Sequence, residues 1–259
     1  MVKFKLIKSW PVFIAQLATL IVILALTEYL VKKGIIGDLY LASPSQTFQE
    51  LILLFQGNIL FQHLAATLKE FVLGMILAVI IGIGLGLVIA RFKTFESFIG
   101  PYLSALMAIP KVAIIPLLTI WLGIGLPNKV LLVFLFSFFP IVYNTITGVK
   151  NTSENHLKVA RVFRANPLQL TFKLFLPSAM PTIFAGLRVG ASTGFVGAIF
   201  GEMMASKEGL GNLLTSASQL YKTGQLFAII LITTVISILI IYGIDCIERK
   251  VFLRWKYEK

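Results

Sequence analysis

Residues 150–181 read KNTSENHLKVARVFRANPLQLTFKLFLPSAMP, the longest polar interval in an otherwise apolar chain. The stretch carries five basic side chains, Lys150, Lys158, Arg161, Arg164 and Lys173, against one acid, Glu154. Its spacing predicts two short helices with a bend between them. Asn151 is placed to cap the first, with Glu154 three residues on as the reciprocal partner. The second start is better marked, with Asn166 at the cap, Pro167 at the first helical position and Gln169 three past the cap. Leu168, Phe172 and Phe175 then fall on one face. Pro177 and Pro181 are expected to stop that helix and redirect the chain. A capped helix pair with a greasy face and a basic face suits docking to a partner; a solvated or lipid-contacting basic loop is the plainer alternative.

On either side the chain reads as membrane protein. Its 259 residues are 58% hydrophobic and 13% charged, whereas soluble domains are nearer about a quarter charged. The length suits one domain, 1–259, of about six spans at ~20 residues each. The expected spans are 10–31, 71–90, 98–122, 130–149, 182–204 and 226–247. Between the first two, Ser45 or Thr47 is placed to cap an amphipathic helix bearing Phe48, Leu51, Ile52 and Phe55. The apolar run after Trp10 is long and lacks a small-x-small site, unlike a cleaved signal. The net charge of +12 comes from basic residues flanking apolar spans, so lipid and topology account for it without nucleic acid. A lone cysteine, Cys246, and two separated histidines, His63 and His156, give neither a disulfide nor a metal constellation, so no metal and no cofactor is expected.

Counting charges orients the spans. With six crossings, 15 of the 23 Lys and Arg lie on the side of both termini and of loops 91–97 and 150–181, and six lie on the other. The basic-rich side is expected to be cytoplasmic.

Inside the spans, a few residues break the apolar pattern. The third contains Pro101, Pro110 and Pro116, with Lys111 near its middle. A proline frees a carbonyl, and a charge at that depth is costly, so both are tolerated where protein or a water-filled path receives them. Pro110, Lys111 and Pro116, with Asn144 and Arg188 of later spans, are the expected translocation path. Glu202, at the far end of the fifth span, precedes Gly209-Leu210-Gly211, and Glu202, Gly209 and Gly211 are the expected outer gate. No nucleophile–base pair or paired acids suggest catalysis. The chain also lacks the Gly-x-x-x-x-Gly-Lys-Ser/Thr loop that cradles ATP phosphates.

Lys158-Val159-Ala160, Arg164, Leu174 and Leu176-Pro177 have the spacing of a Glu-Ala-Ala…Gly…Ile-x-Leu-Pro loop. On that spacing the chain resembles the permease subunits of bacterial ATP-binding-cassette importers. Two defining positions depart from the pattern, Lys158 in place of the acid and Arg164 in place of the glycine, while Ala160, Ala165 and Leu176-Pro177 hold. The likeness runs over residues 40–255. Ala108-Ile109-Pro110-Lys111 with Pro116 and Trp121-Leu122-Gly123, Phe138-Phe139-Pro140 with Asn144-Thr145, and Gly186-Leu187-Arg188 are similar to the nitrate, sulfonate and taurine branch. Val196-Gly197-Ala198-Ile199-Phe200-Gly201-Glu202 resembles the sub-branch taken to carry thiamine-precursor pyrimidines or riboflavin-like compounds.

The resemblance implies an all-α, polytopic, MetI-like type I importer permease fold in the plasma or inner membrane. It implies that Lys158, Ala160, Arg161, Arg164, Ala165, Asn166, Leu176 and Pro177 couple to a cytoplasmic ATP-binding subunit present in two copies. A second copy of the chain and an extracytoplasmic solute-binding protein would complete the importer, with ATP hydrolysis left to the separate subunit. The chief alternative is a self-powered secondary transporter or channel in which Lys111, Arg188 and Glu202 form a coupling site; a membrane enzyme is the other class. Because arginine disfavours left-handed backbone, the bend of the loop is expected at Asn166 rather than at residue 164. The basic flank of Lys158, Arg161 and Arg164 points to an acidic or neutral groove on the partner.

Overall fold

The structure, a computed structural model, describes residues 10–256, and every regular element among them is helical. Lipid dictates this outcome, because a spanning segment has no water to satisfy its N–H and C=O groups and must pair them within itself. In order the helices are α1 (Trp10–Lys32), α2 (Pro44–Gln56), α3 (Asn58–Arg91), α4 (Lys93–Ala108), a 3-10 turn (Lys111–Ile114), α5 (Ile115–Leu122), α6 (Leu126–Lys150), α7 (Glu154–Val162), α8 (Pro167–Gln169), a π turn (Leu170–Phe175), α9 (Leu176–Ala205), α10 (Leu210–Gln219) and α11 (Thr223–Lys256). Five apolar helices are long enough to cross a membrane, and the pair Lys93–Ala108 and Lys111–Leu122, bent by 82° at its break, makes a sixth only when the two halves are taken together as one broken span rather than as a re-entrant loop. The basic residues Lys3, Lys5, Lys8 and Lys259 lie outside the described residues.

The chain divides into two compact units: Met1–Phe61 with Leu214–Ile232, and Gln62–Leu213 with Thr233–Lys259. In the first, Glu28 of α1 accepts from the backbone N–H and hydroxyl of Ser45, at 3.0 and 2.7 Å, and pairs with Lys32 at 2.7 Å. The cap of α2 is Ser43, not Ser45 or Thr47. Its hydroxyl accepts from the N–H of Gln46, whose side chain accepts from the N–H of Ser43, with Pro44 between them. A proline sits most easily at the first helical position, which moves the cap one residue ahead of it.

The second unit is organised around α6 and α9. Gly186, Gly190, Gly194, Gly197 and Gly201 of α9 lie against Asn144, Ser137, Phe136 and Leu132 of α6 with no room for a side chain. The hydroxyl of Ser137 donates to the carbonyl of Gly190 at 2.8 Å. Such close approach lets dispersion and interhelical hydrogen bonds hold helices together where lipid gives no hydrophobic drive. On an adjoining face of α6, Gly74, Gly82 and Gly86 of α3 meet Val133, Ile141 and Thr145, while Gly84 faces open space.

Prolines behave differently from the expectation in three places. Pro116 does not interrupt a helix but opens α5, where no donor is required. Pro177 and Pro181 do not stop their helix, because Pro167–Ala205 forms one apolar helical segment of 39 residues. The π turn just before Pro177 widens the helix where the ring would otherwise clash with a carbonyl of the preceding turn. Pro140, inside α6, frees the carbonyl of Phe136, and the hydroxyl of Thr193 in α9 donates to it at 2.9 Å.

Candidate functional site

Three places in the larger unit hold the expected residues. The first is the exposed loop around α7. Asn151 ends α6 instead of capping α7, its N–H bonding the carbonyl of Thr147 at 3.0 Å, and Ser153 stands at the cap of α7. Asn166 and Gln169 form the expected reciprocal cap, at 2.8 and 2.9 Å, with Pro167 between them. Leu168 and Phe172 are exposed, but Phe175 turns inward against Val149, Ala179 and Ile183. The extra residue of the π turn rotates it off the shared face. Leu176 packs in the same cluster, next to Pro177.

The bend corrects the sequence expectation. It lies at Arg164, which has a left-handed φ of 49°. The N–H of Arg164 bonds the carbonyl of Arg161 at 2.9 Å and the N–H of Ala165 bonds the carbonyl of Ala160 at 3.0 Å. These two bonds are the signature of the Schellman turn, which requires left-handed backbone at the residue where helices usually carry glycine. The turn geometry prevails over the residue preference, which costs about 1 kcal/mol. Asn166 caps the next segment but does not make the turn.

The second place is the break between α4 and α5. Pro110 sits in it, and the ammonium of Lys111 donates to the carbonyl of Met107 at 3.4 Å. That carbonyl would have bonded the N–H of residue 111 had the helix continued, so the side chain substitutes for the backbone. The same ammonium lies 5.0 Å from the ring centroid of Phe139 and 5.9 Å from that of Phe136. No carboxylate among the described residues pairs with it. Asn144 lies further along α6, five residues past Phe139, and donates to the carbonyl of Pro140 at 2.9 Å. Arg188 is not with them: its guanidinium binds Asp245 at 3.0 Å and also Glu248, both on α11.

The third place is the junction of α9 and α10. Glu202 is fully buried, and its Oε2 accepts from the N–H of Gly211 at 2.7 Å. Residue 209, where a helix-capping side chain belongs, is a glycine with φ 107°. A Cβ there would coincide with the Glu202 carboxyl. Glu202 therefore supplies from another helix the carboxylate that caps the start of α10. Around it, His63 Nδ1 lies 2.9 Å from the carbonyl of Gly209, and the N–H of Leu210 donates to the Thr67 hydroxyl at 2.9 Å. Lys129 of α6 and Glu70 of α3 form a buried ion pair at 2.8 Å, and Lys129 also donates to Ser206. Lys111, Arg188 and Glu202 thus have three separate sets of partners and do not converge on one coupling site.

Several of these residues escaped sequence reasoning. Thr193 looked like any small residue of a span. Glu70 and Lys129 looked like flanking charges. The available signal was that an acid and a base both lay within a turn of expected span ends on the same side, as an ion pair requires.

Residues 78–254 match the family described as binding-protein-dependent transport system inner membrane component. The chain is 29% identical over 249 residues to the taurine transport system permease protein TauC of Escherichia coli (strain K12), covering 93% of this chain and 90% of that protein. It is 31% identical over 242 residues to the formylaminopyrimidine transport permease protein ThiX of Halalkalibacterium halodurans, covering 93% and 96%. The fold is similar to a chain of the MetNI methionine ABC transporter in an inward-facing conformation, with a TM-score of 0.67 at 17% identity over 74% of this chain and 96% of that one.

Proposed function

Because the chain belongs to the binding-protein-dependent transport system inner membrane component family and is a transmembrane permease subunit of an ATP-binding-cassette importer, we propose how its residues carry that work. Two copies of the chain enclose the path, two cytoplasmic ATP-binding subunits engage residues 150–181, and an extracytoplasmic binding protein delivers the solute. The membrane holds the chain with both termini on the cytoplasmic side, as its basic residues favour. The solute is a small organic or anionic compound of the taurine and sulfonate kind or the pyrimidine and riboflavin kind. Pro110, Lys111 and Asn144 face it, and Glu202 with Gly209 and Gly211 closes the outer end.

One observation carries this reading: the helical segment Pro167–Ala205, 39 residues long. At 1.5 Å per residue it is roughly 60 Å of helix, from the exposed loop to the Glu202 junction. From Ala179 to Gly201 it is locked to α6 through glycine contacts. Closure of the ATP-binding subunits displaces α7 and α8, and the paired helices α6 and α9 carry the displacement to the far end as one body.

The test is reconstitution of the permease with its ATP-binding subunit and binding protein in proteoliposomes. Solute uptake should require ATP inside the cytoplasmic face and the binding protein outside. Uptake by the permease alone, driven by an ion gradient and indifferent to ATP, would sink this reading in favour of a secondary transporter.

A further inference from the structure

Where α3, α6 and α9 meet, the buried charges do not balance. Glu70, Lys129 and Glu202 are 4%, 6% and 0% exposed, so two acids share one base. Lys129 is committed, to Glu70 Oε1 at 2.8 Å and to the Ser206 hydroxyl. Glu202 Oε2 is committed too, accepting from the N–H of Gly211. The other two oxygens, Glu70 Oε2 and Glu202 Oε1, are buried and accept from no donor. Yet the two side chains face each other within hydrogen-bonding reach. The Thr67 hydroxyl beside them does not fill the gap, because it accepts from the N–H of Leu210 at 2.9 Å and gives its proton to the carbonyl of His63 at 3.1 Å. The remaining titratable neighbours are His63, whose Nδ1 lies 2.9 Å from the carbonyl of Gly209, and exposed Glu208, which adds negative charge near Glu70. The helix α10 brings none.

We infer that Glu70 Oε2 and Glu202 Oε1 hold one proton between them, so that this junction is a proton-binding site. Two bare acceptors turned toward each other in a buried space repel, and each lacks the donor that burial demands. One proton makes a donor of one oxygen and leaves the other as its acceptor. Both orphaned atoms are satisfied at once, and the two acids and the lysine sum to zero charge. Like carboxylates at this range cannot both stay ionised, and sharing a proton is the arrangement that results. A metal cation would need more oxygens than the pair supplies, and no group of three His, Cys, Asp or Glu among the described residues could hold one. A movement that parts the end of α9 from α3 would let water reach both carboxyls and release the proton, so acid opposes that movement and alkali favours it.

The proton needs no solute and no ATP-binding subunit, so it is read on the full permease alone in lipid nanodiscs. Infrared difference spectra should show the carbonyl band of one neutral carboxylic acid disappearing as pH rises from neutral to alkaline. Glu202→Gln should remove that band. Glu70→Gln should remove it too, because Lys129 then has a single carboxylate to neutralise. The amide introduced by Glu202→Gln keeps an acceptor for Gly211 and a donor toward Glu70, and it leaves His63, Lys129 and Glu208 in place. Relative to that variant, the wild-type thermal midpoint should fall by about 3 °C per unit of pH over the range in which the folded chain keeps the proton and the unfolded chain does not, because stability falls with pH when the folded state binds more protons. Absence of the band, its survival in Glu70→Gln, or parallel pH profiles for wild type and Glu202→Gln would overturn the shared proton. A midpoint that follows sodium at constant ionic strength but not pH would make the pair a cation site and overturn it equally.

Discussion

Glu202 caps a helix it does not belong to: its carboxylate takes the N–H of Gly211 at 2.7 Å, from the end of α9 to the start of α10. Gly209 clears the space for that carboxylate and adopts the φ of 107° that delivers the chain to it. The acid and the two glycines are thus one structural device. Glu202→Ala should lower stability by about 2 kcal/mol, the scale of a helix cap whose donor is left buried. Gly209→Ala should cost about 3 kcal/mol from overlap and strained backbone. The double variant should cost less than the sum, because removing the carboxyl frees the space the methyl needs. Thermal unfolding in detergent checks all three; strict additivity would mean that the two residues act independently.

Lys129 and Glu70 are both buried, 2.8 Å apart, and the lysine also holds Ser206. A buried ion is costly when alone, and the attraction of a pair roughly balances the loss of water. Lys129→Met should therefore destabilise the protein by about 3 kcal/mol, whereas Lys129→Met with Glu70→Leu should recover most of the loss. A double variant no more stable than Lys129→Met would show that Ser206, not Glu70, is the partner that matters.

These two devices mark where sequence reading stopped. The apolar periodicity of the spans, the Asn166–Gln169 cap and the break at Pro110 were legible because each rests on local chemistry within a few residues. The acid of Glu202 was visible, but not that it caps α10, since a cap from another helix leaves no local spacing. The pairing of Glu70 with Lys129 joins residues 59 positions apart, which no periodicity encodes. Arg164 misled for a different reason. Residue preference favoured Asn166 for the bend, but the two backbone bonds that close α7 fix the left-handed position regardless of which side chain sits there.

The segment between α9 and α10 provides a check on sidedness. Lys207 and Glu208 are exposed, whereas Gly209, Leu210 and Gly211 are buried. With Cys246 replaced by serine, Lys207→Cys and Glu208→Cys should react with a membrane-impermeant maleimide added outside intact cells. Leu210→Cys should not react from either side. Labelling of positions 207 and 208 only after the cytoplasmic face is opened would reverse the orientation assigned to the chain.

Lys111 gives the sharpest distinction between a structural and a transporting role. Its bond to Met107 is long at 3.4 Å, and its other partners are the faces of Phe139 and Phe136 at 5.0 and 5.9 Å. Cation–π contacts of this kind contribute about 0.5–2 kcal/mol, enough to park an ammonium but weaker than a carboxylate would be. A charge kept in reserve beside a helix break is available to a passing solute, whereas one spent on a carboxylate, as Arg188 is on Asp245 and Glu248, is not. Lys111→Met should then cut uptake at least about tenfold, a loss of ~1.4 kcal/mol at the slow step, while the thermal midpoint and the bound ATP-binding subunit stay near wild type. Lys111→Arg should restore part of the uptake. The opposite split, a lowered midpoint with uptake per folded permease unchanged, would make Lys111 only the cap of α4.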